Sequence, residues 1–515
     1  MKKCKVLQVG INDWGEHLLN YHQKNLEWNF LSVDSKDDID KLIANSALNG
    51  QSFDTVICTD VFENNIIIEL SEIIEAHTLI IDDLFQLDVV DEIILKKCPI
   101  FMRLNNKKVI LDDMNRYFFS GQGGGKLQTS SILVNERFKG RITLNGQEYV
   151  NLEGHFSKMF KDPLITWKDN IFMNDRSQKI WLEFEHSEGV KITMTIIGYI
   201  IGQEENAKIW NYSESEIKRG IEVTHEEGKT AELNFSLYVT GEGYLNIGTL
   251  HYRDSRNKYG EFLLGGEKVS DFRNEEIFYY FNPGDLKPPL NIYFSGYRTL
   301  EGFEGFYMMK ELGAPFLLIA DTRLEGGSFY LGSEELEKKL LDIILYHLNK
   351  LGFSRNELIL SGLSMGTFGA LYYAAKLLPH TVIIGKPLAN LGTIAENEKL
   401  VRPGGFPTSL DILRSLTGTD SKNKIEELNS RFWNVFDNAN FFLTQFVISY
   451  MKDDDYDQHA YEDLTEHLSN KEVRIIGKGT PGRHNDNWNG IYDWFIGHYK
   501  RVLLESFGRK EINEL

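Results

Sequence analysis

Glu357-Leu-Ile-Leu-Ser-Gly-Leu-Ser-Met-Gly-Thr-Phe-Gly-Ala-Leu-Tyr-Tyr-Ala-Ala-Lys-Leu-Leu378 is the stretch on which the reading of this sequence turns. Its first six residues read as a strand, and residues 366–378, rich in Ala, Leu and Tyr, read as a helix. Between them stands Gly362-Leu-Ser364-Met-Gly366, the G-x-S-x-G pattern. A strand can pass into a helix this abruptly only if the residues two before and two after the serine lack side chains. The turn then lifts the hydroxyl clear of the sheet, at a helix N-terminus that favours developing negative charge. Ser364 is therefore expected to be a nucleophile, in an α/β fold whose C-terminal part, residues 290–515, is of the α/β-hydrolase type.

A serine needs a base and an acid, and in this fold they follow it in the order acid, then histidine. Val473–Gly477 reads as a last strand, and the loop after it carries His484. His459 and His467 lie on or beside an expected helix, the wrong kind of element. The acid should leave the preceding strand, Phe446–Tyr450, and Met451-Lys-Asp-Asp-Asp-Tyr-Asp457 follows there. Asp453, Asp454, Asp455 and Asp457 are all in reach, and most of them must be a solvated charge run. An oxyanion hole needs two backbone N–H groups. One is expected from Met365. The other is expected from the turn after Leu290–Phe294, where Tyr297 is favoured and Gly296 is the alternative. Arg298, Arg323 and Arg483 are read as exposed-loop candidates for substrate or donor contacts.

Upstream, Asn282-Pro-Gly-Asp-Leu-Lys-Pro-Pro289 marks a boundary, because clustered Pro and Gly continue neither strand nor helix. Residues 128–282 show alternation of period two, as in Leu233, Phe235, Leu237 and Val239, with turn residues every dozen positions or so. That suggests a β-sandwich, carbohydrate-binding-like in its aromatic content. Trp167, Trp181, Trp210 and Tyr212 are of the type that stacks on sugar rings, although packing is the commoner use of any one of them. Gly121-Gln-Gly-Gly-Gly-Lys126 lacks the Ser or Thr that a phosphate loop needs after its lysine, so it is read as a linker. Residues 1–118 alternate strands (Lys5–Gly10, Asp54–Thr59, Thr78–Asp82) with amphipathic stretches such as Ile66–Ala76. This is a small doubly wound, Rossmann-like domain. Its first turn, GINDWG, is not the dinucleotide fingerprint.

Length and charge narrow the function further. At 515 residues, two or three domains are expected. A net charge of −19 argues against nucleic-acid binding, which needs clustered Lys and Arg. Three cysteines without metal-ligand spacing suit a reducing, cytoplasmic setting. The basic N-terminus lacks the apolar run of a signal peptide, and no stretch is long enough to span a membrane. Membrane association is therefore expected only through partners. No metal site or tightly bound cofactor is expected.

The elbow around Ser364, the run Tyr450-Met-Lys-Asp-Asp-Asp-Tyr-Asp457 and Gly482-Arg-His-Asn-Asp-Asn487 together resemble the family of second accessory secretory proteins of the bacterial accessory Sec system. The three-part layout fits as well. The resemblance implies a cytoplasmic component recruited to the membrane translocase. It would work with sibling accessory secretory proteins and the accessory SecA motor on a serine-rich repeat glycoprotein. It also implies O-acetylation of N-acetylglucosamine on that adhesin, through Ser364, Asp454 and His484, with the register of the acid open by one residue. Acetyl-CoA is one candidate donor. A carbohydrate esterase and a non-catalytic export adaptor with a hydrolase fold are the alternatives.

Overall fold

A computed structural model describes the chain except residues 1–2, 16–25, 35, 50–52, 61–64, 85–90, 157–161, 175, 225, 227–228 and 510–515. Its contacts divide the chain into two compact units, residues 1–122 with 255–267 and 280–287, and residues 123–254 with 268–279 and 288–515.

The first unit is built on five parallel strands. In sheet order they are Leu26–Ser32, Cys4–Gly10, Thr55–Cys58, Leu79–Asp82 and Ile100–Met102. Alternate side chains go to opposite faces of a strand. Leu7 and Val9 join Ile39, Leu70 and Ile93 in one core, and Cys4 and Val6 join Ile110, Leu111 and Met114 in a second. Burial pushes the Cys4 and Cys58 thiols up to about 12, leaving them inert at neutral pH. On sequence, residues 255–282 belong to the β-rich region and 283–287 to the boundary after it, but 255–267 and 280–287 pack here. Arg256 donates to the carbonyls of Tyr117, Phe119, Gly121 and Phe262, and the Tyr259 hydroxyl donates to Asp113 at 2.6 Å.

In the second unit, one 24-residue strand, Ala231–Asp254, organises the β-rich part. Its first half pairs antiparallel with Val190–Ile200, and its second half pairs with Gln178–His186 and Tyr149–His155. Inward residues of both ladders meet in one core, including Phe156, Trp167, Phe184, Phe235 and Leu250. Trp167 and Trp181 are buried, so neither presents a face for a sugar; Trp210 and Tyr212 are half-buried against that core. The glycine-rich segment read as a linker is in part a strand. Gly124–Leu127 pairs with the long strand, and the Lys126 ammonium donates to the carbonyls of Thr322 and Leu324 at 2.6 and 2.9 Å.

The remaining sheet has eight strands. In order they are Gly266–Ser270, Glu276–Asn282, Phe316–Asp321, Leu290–Phe294, Leu358–Leu363, Thr381–Gly385, Phe442–Met451 and Glu472–Thr480. The six from Phe316–Asp321 onward run parallel. Leu290–Phe294, Leu358–Leu363 and Thr381–Gly385 are buried along their whole length, as parallel strands covered on both faces must be. Among the described residues no helix is long and apolar enough to cross a membrane.

A buried charge network lies within this unit. His251 sits between Glu183, 3.0 Å away, and Glu301, while Arg253 donates to Glu276 at 2.6 Å. Burial opposes the charging of His251, but Glu301 and Glu183 outweigh it and push the imidazole up to about 9. Because that lies above its ordinary value of 6.5, the pairing stabilises the fold fully below about pH 6.5. The contribution is lost as pH rises through about 9. The thermal midpoint is therefore expected to fall between pH 7 and 10, and to fall less steeply in His251→Gln. Equal slopes for the two proteins would remove His251 from the linkage.

Candidate active site

Four neighbouring parallel strands deliver their following residues to one edge of the sheet, the carboxyl edge where ligands of open α/β sheets bind. Ser364 follows Leu358–Leu363, Lys386 follows Thr381–Gly385, Asp454 follows Phe442–Met451, and His484 follows Glu472–Thr480. The turn after Leu290–Phe294 adds Gly296 and Tyr297.

The elbow is as tight as its glycines require. A Cβ on Gly362 would lie 2.4 Å from the Gly366 backbone, and one on Gly366 would lie 2.1 Å from the Phe294 carbonyl. Ser364 has φ 52°, a left-handed conformation that costs a non-glycine residue on the order of 1–3 kcal/mol. The Ser364 N–H donates to Gly385 at 2.9 Å, and its carbonyl accepts from the Thr367 N–H at 2.9 Å and from the Thr367 hydroxyl at 2.6 Å. These bonds hold the strained residue from both sides, and the helix Met365–Leu377 starts at the next residue.

Ser364 Oγ lies 2.8 Å from His484 Nε2, and His484 Nδ1 lies 2.8 Å from Asp454 Oδ2. His484 and Asp454 are 2% and 6% exposed, so water competes poorly for either bond. The other Asp454 oxygen accepts the N–H groups of Tyr456 and Asp457, which fixes the carboxylate's angle. The Tyr456 ring packs edge-on against the imidazole, 4.4 Å between centroids. The neighbouring aspartates face elsewhere. Asp453 accepts the Gly482 N–H, Asp455 accepts the His484 N–H and pairs with Arg402, and Asp457 accepts the N–H groups of Ala389 and Asn390. His459 stands at the start of the helix Ala460–Leu468, and His467 pairs with Asp437.

The Met365 amide is the first of its helix and has no intrahelical acceptor. The Gly296 amide already donates to Glu304 Oε2 at 2.7 Å, which removes that alternative and leaves Tyr297 as the second oxyanion donor to consider. Arg323, read as exposed, is instead buried. Its guanidinium holds Asp321 at 2.7 and 2.9 Å and Glu275 at 3.0 Å, a role internal to the fold. Arg298 donates to the Phe303 carbonyl, and Arg483 is exposed.

A cavity of about 330 Å³ opens over Ser364 and His484. It is lined also by Glu304, Lys386, Phe406, Tyr456, Asn485 and Trp488. Sequence reasoning passed over Glu304, Lys386 and Trp488. The one signal for Lys386 was a charged residue directly after the apolar strand Thr381–Gly385.

Comparison with known proteins agrees along the whole chain. The family model described as the accessory Sec system GspB-transporter matches residues 4–509. The second accessory Sec system protein of Streptococcus gordonii is 40% identical over 516 residues, covering 99% of each chain. Its counterpart in Staphylococcus aureus is 38% identical over 517 residues, covering 99% of this chain and 98% of its own. A chain in the structure of the Glycosylation Associate Protein (Gap123) complex from Streptococcus agalactiae superposes with a TM-score of 0.89. It is 36% identical, and the match covers 99% of this chain and 100% of that one. With relatedness unbroken from end to end, this chain belongs to the family of second accessory secretory proteins of the accessory Sec system.

Proposed function

We propose that this protein is a serine-dependent O-acyltransferase that acetylates N-acetylglucosamine on a serine-rich repeat glycoprotein and supports that glycoprotein's export. The observation that carries the chemistry is the relay from Ser364 through His484 to Asp454, with both bonds at 2.8 Å, at the mouth of a cavity. His484 Nε2 takes the Ser364 proton as Oγ attacks the donor carbonyl. The tetrahedral oxyanion is held by the amides of Met365 and Tyr297, and the protonated imidazole hands its proton to the leaving group. A sugar hydroxyl then repeats the cycle: His484 removes its proton, its oxygen attacks the acyl-enzyme, and Ser364 leaves with the proton returned. Asp454 fixes the imidazole tautomer and stabilises the imidazolium in both halves. The acyl donor, with acetyl-CoA a candidate, is a co-substrate. Family membership and likeness to a chain of the Gap123 complex support an export role alongside sibling accessory proteins and the accessory SecA motor.

Catalysis and export separate in one experiment. A relay is a local device, whereas docking needs surfaces of about 800 Å² per partner. Cells carrying Ser364→Ala are expected to secrete the adhesin with unacetylated glycans, while deletion of the protein stops secretion. Secreted adhesin is measured by quantitative blotting and its O-acetyl content by mass spectrometry. Secretion blocked as fully by the point variant as by deletion would make acetylation itself the export signal. Unchanged acetylation would reduce the protein to an adaptor.

A further inference from the structure

Among the cavity-wall side chains outside the serine relay are Lys386, Glu304 and Trp488. Lys386 is only 2% exposed, yet it lines the cavity. Its ammonium donates to the Asp486 carbonyl at 2.8 Å and lies 5.6 Å from the Trp488 ring centre. Among the described residues no carboxylate comes within ion-pair distance of it. A buried ammonium left with unused donors is costly unless a ligand takes them up. Glu304 is the opposite case. Its Oε2 accepts the Gly296 amide and the Tyr293 hydroxyl, while Oε1 has no partner among the described residues. Trp488 begins the helix Trp488–Phe507 and is 46% exposed, so one large apolar face is left uncovered beside the nucleophile.

We propose that Trp488, Glu304 and Lys386 form the acceptor subsite of this cavity and hold one neutral hexosamine ring. The assignment rests on reading the site as an acyl-transferring one. The indole supplies a flat apolar face for the C–H side of a sugar ring. Glu304 Oε1 accepts from a ring hydroxyl, and Lys386 donates to a hydroxyl or to the N-acetyl carbonyl. The pairing of one carboxylate with one ammonium selects a neutral polyhydroxyl ligand. An anion would meet Glu304 directly, and a cation would meet Lys386. Size points the same way, since about 330 Å³ lies at the small end of ligand cavities, room for a single ring and an acyl group. The subsite decides whether the acyl-enzyme meets sugar or water. In transfer the sugar oxygen bonds to the acyl carbon, the bond to Ser364 Oγ breaks, and the sugar's proton passes through His484 to Ser364. Water entering instead follows the same path and yields acetate.

The test reads that partition. The full-length protein is acylated with p-nitrophenyl acetate in the presence of methyl N-acetyl-β-glucosaminide, and acetylated sugar and free acetate are counted. After subtraction of the acetate and acetylated sugar formed without protein, their ratio does not depend on how much protein is folded or how fast it is acylated. Glu304→Gln, which keeps an acceptor for the Gly296 amide, and Lys386→Met are each expected to lower it by about tenfold, the usual worth of a hydrogen bond to a charged group. Ratios unchanged in both variants, while wild type transfers, overturn the subsite and leave the acyltransferase reading standing. The second arm does not require chemistry. In Ser364→Ala labelled with 5-fluorotryptophan, the Trp488 resonance (assigned with Trp488→Phe) is expected to shift on adding millimolar sugar. A shift here, with no Ser364 acyl-enzyme formed by the wild type, keeps the subsite and overturns the catalytic reading; no shift overturns the subsite.

Discussion

Replacing Ser364 by alanine is expected to lower acyl transfer by on the order of 10⁴–10⁶-fold, the loss common for the nucleophile of a serine relay. The fold should be unaffected, for two reasons. Alanine keeps the Cβ, so the left-handed backbone at φ 52° is no more strained than before. Among the described residues the hydroxyl's partner is His484 Nε2, which faces the cavity and can turn to water once the oxygen is gone. Release of p-nitrophenol from p-nitrophenyl acetate checks the first half of the reaction, and the O-acetyl count on the glycoprotein checks the whole. Activity within tenfold of wild type, at an unchanged thermal midpoint, would move the nucleophile elsewhere.

Asp454→Asn is expected to cost roughly 10⁴, and the reason is the imidazole tautomer. Asparagine still accepts the amides of Tyr456 and Asp457 through its oxygen, so the loop stays in place. The group facing His484 Nδ1 then becomes an NH₂ donor. The ring answers by accepting at Nδ1 and carrying its proton on Nε2, which faces Ser364 and can no longer receive a proton. The neighbouring aspartates predict smaller losses. Asp455→Asn gives up the charge that pairs with Arg402 at 3.1 Å but keeps an acceptor for the His484 amide. Asp453→Asn changes only an exposed contact to Gly482. Rates of the three variants measured side by side should rank Asp454 far below the others. A greater loss at Asp455 would assign catalysis to the carboxylate that holds the backbone of His484 rather than its ring.

The contrast among these aspartates shows where local sequence stops deciding. Gly362, Ser364 and Gly366 could be read from the chain because their constraint is local: the backbone must turn from strand to helix within a few bonds, and only glycine fits beside the Gly366 backbone and the Phe294 carbonyl. The alternation of apolar strands with helices around them is equally local, and so is the order of serine, acid and histidine. Asp453, Asp454 and Asp455 are the same residue in one loop. What separates them is the direction each carboxylate takes, and partners around thirty residues away set it, at Gly482 and His484. Arg323 looked like a loop arginine because nothing nearby in sequence announces Glu275, 48 positions earlier. Gly124–Leu127 looked like a linker because the strand it pairs with begins about a hundred residues later.

The cavity wall belongs to the same class. Glu304, Lys386 and Trp488 come from three segments that only the sheet order brings to one edge. By itself, then, the sequence determined the strand, the elbow and the candidate nucleophile, because short-range sterics admit one solution there. The tertiary structure alone decided which carboxylate meets the histidine, that Glu304 takes up the Gly296 amide, and what lines the cavity. Those are contacts between distant segments, and neither periodicity nor spacing along the chain encodes them.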